Sequence, residues 1–296
     1  MIKALHPGDL IAIVAPAKQI EQEYVTQAQQ LLERAGYNVL IGKHCLGNHH
    51  YFSGTDKERL SDFQQALDNP AVKAILCARG GYGCIRIVDD IDWSHFVKNP
   101  KWIIGFSDVT ILHQRIQLLG FPSIHGTMPL NFQENSKEAL NTLFEAIEGK
   151  NPRITIPSNK YNIQGETTGN LVGGNLSILY GLIGTNDEVN YEGTILFIED
   201  LAEQLYHLDR MFYAFKKAGI LNKIKGLIIG GMTDMKDTAI PFGSNLEEII
   251  LYHCKELAIP VAFQFPAGHI NDNRALLLGK KVRLTVENET TLSYLD

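Results

Sequence analysis

Residues 102–119 read WIIGFSDVTILHQRIQLL, and the period of the apolar side chains changes in the middle of that stretch. Trp102–Phe106 is a short apolar run of the kind that fills a strand buried on both faces. From Asp108 to Leu119 the apolar residues recur three and four apart, the spacing of a helix with one buried stripe. A buried strand that turns directly into an amphipathic helix is half of a β-α-β unit, and the same alternation recurs upstream. Leu10–Ala15, Tyr37–Ile41 and Val72–Ala78 are expected strands, separated by expected helices over Glu21–Ala35, Thr55–Leu67 and Cys84–Asp90. Thr55 followed by Glu58 has the form of a capping box. The pattern predicts an N-terminal α/β domain with a doubly wound, mostly parallel sheet.

Downstream the texture changes. GKNPRITIPSNKYNIQGETTGNLVGG, residues 149–174, mixes Pro, Asn and Gly with brief β-like runs, as expected where one core ends and another begins. The expected organisation is therefore a first domain over 1–150, a linker over 151–168 and a smaller α/β domain with mixed strands over 169–296. Within the last, helices are expected over Asn175–Leu182, Gln204–Ala218 and Leu246–Leu257. Strands are expected over Thr194–Ile198, Gly226–Ile229, Val261–Phe265, Ala275–Leu284 and Thr291–Leu295.

Composition narrows the function classes. Hydrophobic residues make up 45% of the 296-residue chain and charged residues 20%, the balance of a globular protein with a real core. The net charge of −6 lacks the concentrated Lys and Arg of a nucleic-acid binder. The opening MIKALHPGDLIAIVAPA has an apolar run too short and interrupted for a signal peptide or membrane span, so a cytoplasmic protein is expected. Cys45, Cys77, Cys84 and Cys254 are scattered without a CxxC pair and read as reduced fillers, with no metal or cofactor implied.

Four places carry chemistry. Gly80–Gly83, GGYG, follows a strand, yet the dinucleotide fingerprint fails because Arg86 stands where a third glycine belongs. It reads either as a tight turn or as a place where backbone N–H groups approach a substrate oxygen. Ser107 follows the strand WIIGF and opens a helix, which suits either an N-cap or a nucleophile at a sharp strand-to-helix turn. Glu199 closes the strand TILFIED, where α/β proteins keep functional groups, while Asp200 beside it suits a cap of the next helix. His269 lies in the turn-rich loop FPAGHINDN. A serine nucleophile needs a base and the base an orienting acid, so Ser107, His269 and Glu199 gain from one another. Glu203 is the alternative acid, at a helix start. His113 is turned away from the serine by its helix, His125 is a candidate pocket residue, and the neighbouring His49 and His50, with His44, point apart along an extended chain.

Taken in order, PGDLIAIVAPA, ARGGYG, IIGFSDVT, GGNLSILYGLIGT, LFIEDLAEQLYHLDRMF and FPAGH resemble the murein L,D-carboxypeptidases, a serine peptidase group that also contains the microcin C7 immunity peptidases. The resemblance spans nearly the whole chain. It implies a serine carboxypeptidase with Ser107 as nucleophile, His269 as general base and Glu199 as its orienting partner. Backbone N–H groups of Asp108 and, in the glycine turn, Gly81 are implied as the oxyanion hole. The implied fold is a parallel-sheet domain followed by a smaller α/β domain with the site in the groove between them, and the implied assembly is a homodimer. The substrate implied is a cytosolic murein tetrapeptide that loses its terminal D-alanine in cell-wall recycling; the alternative is an aminoacyl-nucleotide conjugate of the microcin C7 kind. A reading from another class is a noncatalytic two-domain protein that binds a small ligand. Arg79 and Arg86 are the candidates to receive the substrate's terminal carboxylate.

Overall fold

The computed structural model describes residues 2–295. The chain forms two compact units: one runs up to Lys150 and adds Asn271–Leu277, the other comprises Asn151–Ile270 and the chain from Leu278 onward. The first holds strands β1 (Leu10–Val14), β2 (Asn38–Ile41), β3 (Val72–Cys77), β4 (Trp102–Gly105) and β5 (Ser123–His125). The second holds β6 (Ile154–Pro157), β7 (Gly165–Asn175), β8 (Ile195–Leu201), β9 (Gly226–Thr233) and β10 (Val261–Ala262). The short strand β11 (Leu276–Leu278) joins the first sheet, and β12 (Lys281–Val286) and β13 (Glu289–Tyr294) complete the second.

The first sheet has the order β11-β5-β4-β3-β1-β2, and β2, β1, β3, β4 and β5 run parallel to one another. Its central strands are buried almost throughout: Ile11–Val14 of β1, Ala74–Cys77 of β3 and all of β4. A strand covered on both faces has no use for polar alternation, which is why these segments read as unbroken apolar runs. The helices α1 (Gln22–Arg34), α2 (Asp56–Asp68), α3 (Ser94–Lys98), α4 (Thr110–Leu118) and α5 (Lys137–Ile147) fill the connections. The capping box at α2 is present, Thr55 accepting the Glu58 N–H and Glu58 accepting that of Thr55. Because β2 lies on one side of β1 and β3 on the other, the winding reverses between β1 and β3, where sheets of this class keep their ligands.

The second sheet has the order β10-β9-β8-β7-β12-β13-β6. It is parallel from β10 to β7 and antiparallel from β7 to β6, and the change is made within one strand. Gly165–Asn170 of β7 pairs with β12, and Leu171–Asn175 pairs with β8. Helices α6 (Leu176–Gly181), α7 (Leu205–Lys217) and α8 (Leu246–Cys254) belong to this unit. Leu208, Phe212 and Phe215 of α7 share one core cluster with Ile250 of α8 and with Leu196, Ile198, Leu227 and Ile229 of the sheet. Each such side chain, taken out of water, contributes roughly 1.5–3 kcal/mol and holds the strand ends in register.

Three expectations differ from the structure. Residues 151–168 carry β6 and the start of β7, so they belong to the second unit instead of forming a linker. Cys84–Asp90 forms two 3-10 turns in place of a helix. A run this short completes few helical bonds, and the Cys84 N–H is taken by the Asp108 carboxylate. Ala275–Leu284 is divided at Gly279, whose φ of +84° turns the chain, so that β11 and β12 enter different sheets.

Candidate active site

Ser107 follows β4 directly and has a φ of +64°, left-handed backbone that costs a non-glycine residue about 1–3 kcal/mol. It then enters a 3-10 turn, Ser107–Val109, that leads into α4. No side chain caps either helix start, so the serine is half-buried at the apex of a strand-to-helix turn and is not an N-cap.

The neighbouring strand β3 ends in Ala78-Arg79-Gly80-Gly81, and the parallel register of β3 with β4 sets this turn beside Ser107. A methyl group at Gly80 would lie 2.8 Å from Ser107 Cβ, 3.0 Å from its Oγ and 3.3 Å from the Asp108 nitrogen. Only a residue without a side chain permits this approach. Gly81 sits against Lys18 and Tyr51, and its N–H belongs to the peptide that leaves Gly80. Asp108 is buried and accepts the Cys84 N–H at 2.8 Å, which ties the serine turn to the glycine turn. Burial raises the Asp108 pKa above 3.8, against the hydrogen bonds from Cys84 that lower it. Arg59, fully buried on α2, donates to the carbonyls of Pro16, Gly54 and Gly83 and clamps the same turn from below. Nothing in the local sequence distinguishes Arg59 from a surface residue of an amphipathic helix.

In the second unit, Glu199 lies near the end of β8 and is fully buried. Its Oε2 accepts from His269 Nδ1 at 2.6 Å and from the His269 backbone N–H at 3.1 Å. Two donors from one residue fix both the ring and the loop that carries it. Gly268, with a φ of +108°, makes room: a methyl there would come within 2.6 Å of Glu199 Cβ. Thr233 at the end of β9 donates to the His269 carbonyl at 2.7 Å. Burial pushes the imidazole pKa down, but the Glu199 charge and hydrogen bond, with the Asp200 charge behind them, outweigh it and leave the pKa raised above 6.5. With Nδ1–H directed at the carboxylate, the neutral ring carries its lone pair on Nε2, the form that takes a proton from a nucleophile.

Asp200 caps a different helix from the one expected. Its Oδ1 accepts from Asn175 Nδ2 at 2.9 Å, and its Oδ2 accepts from the backbone and the hydroxyl of Ser177, each at 2.8 Å, at the start of α6. The parallel pairing of Asn175 with Glu199 brings α6 beside it, whereas α7 starts farther along the chain at Leu205. Glu203, the alternative acid, is occupied by Ser177 at 2.9 Å and by His207 Nδ1 at 2.5 Å, so the imidazole of His269 belongs to Glu199.

The remaining candidates have structural places. His113 is buried, with Nε2 against the Gly105 carbonyl at 2.9 Å and Nδ1 against Ser123 Oγ at 2.8 Å. Desolvation lowers its pKa to about 4. His125 is fully buried and packs against the rings of Phe106 and His113. The four cysteines are free and buried, and burial raises the thiol pKa of Cys45 and Cys254 to about 12. No helix among the described residues is long and apolar enough to cross a membrane.

Known proteins resemble this chain in sequence and fold. Residues 11–126 match the family model described as LD-carboxypeptidase N-terminal domain, and residues 168–284 match LD-carboxypeptidase C-terminal domain. A relative from Bacillus subtilis (strain 168), "Probable murein peptide carboxypeptidase", is 32% identical over 98% of this chain and 93% of its own. The crystal structure of muramoyltetrapeptide carboxypeptidase from Oxalobacter formigenes superimposes with a TM-score of 0.89 at 29% identity, covering 97% of this chain and 99% of that one. MccF in complex with glutamyl sulfamoyl guanosine shares the fold, with a TM-score of 0.89 at 22% identity over 99% of this chain and 98% of that one. A strained serine turn on one unit, a Glu–His pair on the other and matches to both family models lead to one assignment: the chain belongs to the LD-carboxypeptidase family.

Proposed function

We propose that this protein is a serine carboxypeptidase that releases the terminal D-alanine of a murein tetrapeptide, with Ser107, His269 and Glu199 as its triad. The observation that carries the reading is the 2.6 Å contact between His269 Nδ1 and Glu199 Oε2, which fixes the ring in the orientation a general base needs. In the proposed cycle His269 takes the Ser107 proton as Oγ attacks the scissile carbonyl, and Glu199 stabilises the imidazolium. The Asp108 N–H and the N–H of Gly81 hold the oxyanion, and the proton passes to the departing D-alanine nitrogen. Water, activated by the same imidazole, then hydrolyses the acyl-serine. Loss of one oxyanion donor in such a site typically lowers kcat by about 10²–10³-fold.

The murein substrate is favoured over an aminoacyl-nucleotide conjugate by the greater identity to the muramoyltetrapeptide enzyme, since the likeness to MccF extends to the fold alone. A cytosolic role in cell-wall recycling and a homodimeric assembly complete the proposal, supported by the family resemblance. The test is to incubate the tetrapeptide with the wild type and with Ser107→Ala and to measure free D-alanine. Release by the wild type and none by the variant is expected. Release from neither, with cleavage of an aminoacyl-nucleotide conjugate, transfers the assignment to the microcin type; binding without cleavage, equal in both proteins, identifies a noncatalytic receptor.

A further inference from the structure

A carboxypeptidase must tell a chain end from a chain interior, and the terminal carboxylate does so. Its carbon lies three covalent bonds from the scissile carbonyl carbon, so a cation that reads it must stand close to the nucleophile. Among the described residues the first unit brings three arginines and a lysine to this region.

Arg86 is already committed. Its Nε and Nη2 make a forked contact with Asp56, at 2.9 and 2.6 Å, and its guanidinium lies over the Phe52 ring. Arg59 is fully buried and spends its donors on backbone carbonyls and Asp56. Arg79 differs from both. It is half-buried, it directly precedes Gly80, which touches Ser107, and its hydrogen bond is a single one, from Nη1 to the Gln19 carbonyl at 3.1 Å. No carboxylate pairs with it among the described residues.

That hydrogen bond also fixes where the guanidinium stands. Gln19 follows β1, and the N–H of its neighbour Lys18 donates to the Gly80 carbonyl at 3.3 Å. The side chain therefore bridges the ends of β3 and β1, across the point where the winding of the sheet reverses. Lys18 stands on the same turn, its ammonium over the Tyr51 ring at 4.9 Å. A guanidinium has five N–H donors in a planar fork, and one bond to a carbonyl leaves a face suited to both oxygens of a carboxylate.

Resting on the carboxypeptidase reading above, we propose that Arg79 receives the terminal carboxylate of the substrate and so confines cleavage to the last residue. Lys18 adds positive potential at the same turn.

The experiment compares the tetrapeptide with a free C-terminal carboxylate and the same peptide as its C-terminal amide. The wild type is expected to favour the acid by about 10²-fold in kcat/KM, the value of a charge-assisted contact shielded from water. Arg79→Ala is expected to lose about that factor on the acid and little on the amide, so that the preference collapses. Arg79→Gln keeps an N–H donor for the Gln19 carbonyl without the charge and is expected to behave likewise, whereas Arg79→Lys restores part of the preference. Arg86→Ala leaves the preference intact. Equal losses on both peptides in Arg79→Ala and Arg79→Gln, with the acid preference unchanged, would show that Arg79 only braces the turn and would overturn the proposal. A wild type that releases no D-alanine from the acid defeats the carboxypeptidase reading itself, and the two failures are distinguishable because the first leaves the wild type active.

Discussion

Gly80→Ala places the smallest possible side chain against the proposed nucleophile. The new methyl would lie 2.8 Å from Ser107 Cβ and 3.0 Å from Oγ. Carbon contacts are comfortable from about 3.5 Å, so the two turns must separate by about 0.7 Å. Gly80 is not among the residues with positive φ, so alanine is conformationally allowed there and the effect is purely steric. Reacting groups displaced by about 1 Å lose on the order of 10²-fold in rate. The expected kcat for D-alanine release is therefore about 10–100-fold below wild type. Overpacking costs about 1–3 kcal/mol, partly offset by about 0.4–1 kcal/mol from the stiffer unfolded chain. Urea unfolding followed by circular dichroism measures that small loss, and D-alanine release at saturating tetrapeptide measures the large one. Wild-type kcat in a fully folded Gly80→Ala protein would refute the idea that the glycine turn and Ser107 form one rigid catalytic wall.

Four further outcomes follow from the structure. His269 must be neutral to act as base and its pKa is raised above 6.5, so kcat/KM falls as pH drops through a value above 6.5; Glu199→Gln removes the cause, moving that acid limb to lower pH while lowering kcat on the order of 10²–10⁴-fold. The matching stability contribution is fully present below pH 6.5 and is lost as pH rises through the folded-state pKa, which urea midpoints across that range would show for the wild type and not for Glu199→Gln. Ser107→Gly relieves the left-handed backbone and is expected to be about 1 kcal/mol more stable than Ser107→Ala in urea, with both inactive; equal midpoints would mean that no strain is held there. The four cysteines are buried, so a thiol reagent is expected to label none in the native protein and all four in denaturant; native labelling with loss of activity would contradict their placement.

Local sequence was enough for the parts of this protein that depend on neighbours in the chain. The apolar runs of β1, β3 and β4, the stripe of α7 and the Thr55–Glu58 box are short-range patterns, and each forms near where its period places it. Ser107, Glu199 and His269 stood out because each ends or follows a strand, although the resemblance to a family was needed to connect them. Contacts between distant segments decided the rest. The closeness of Gly80 to Ser107, the clamp by Arg59 on Pro16 and Gly83 and the choice of α6 by Asp200 all arise from contacts between residues far apart in sequence. Periodicity reports which face of an element is buried, not what it is buried against. That second fact depends on sheet order and register, which tertiary packing alone supplies.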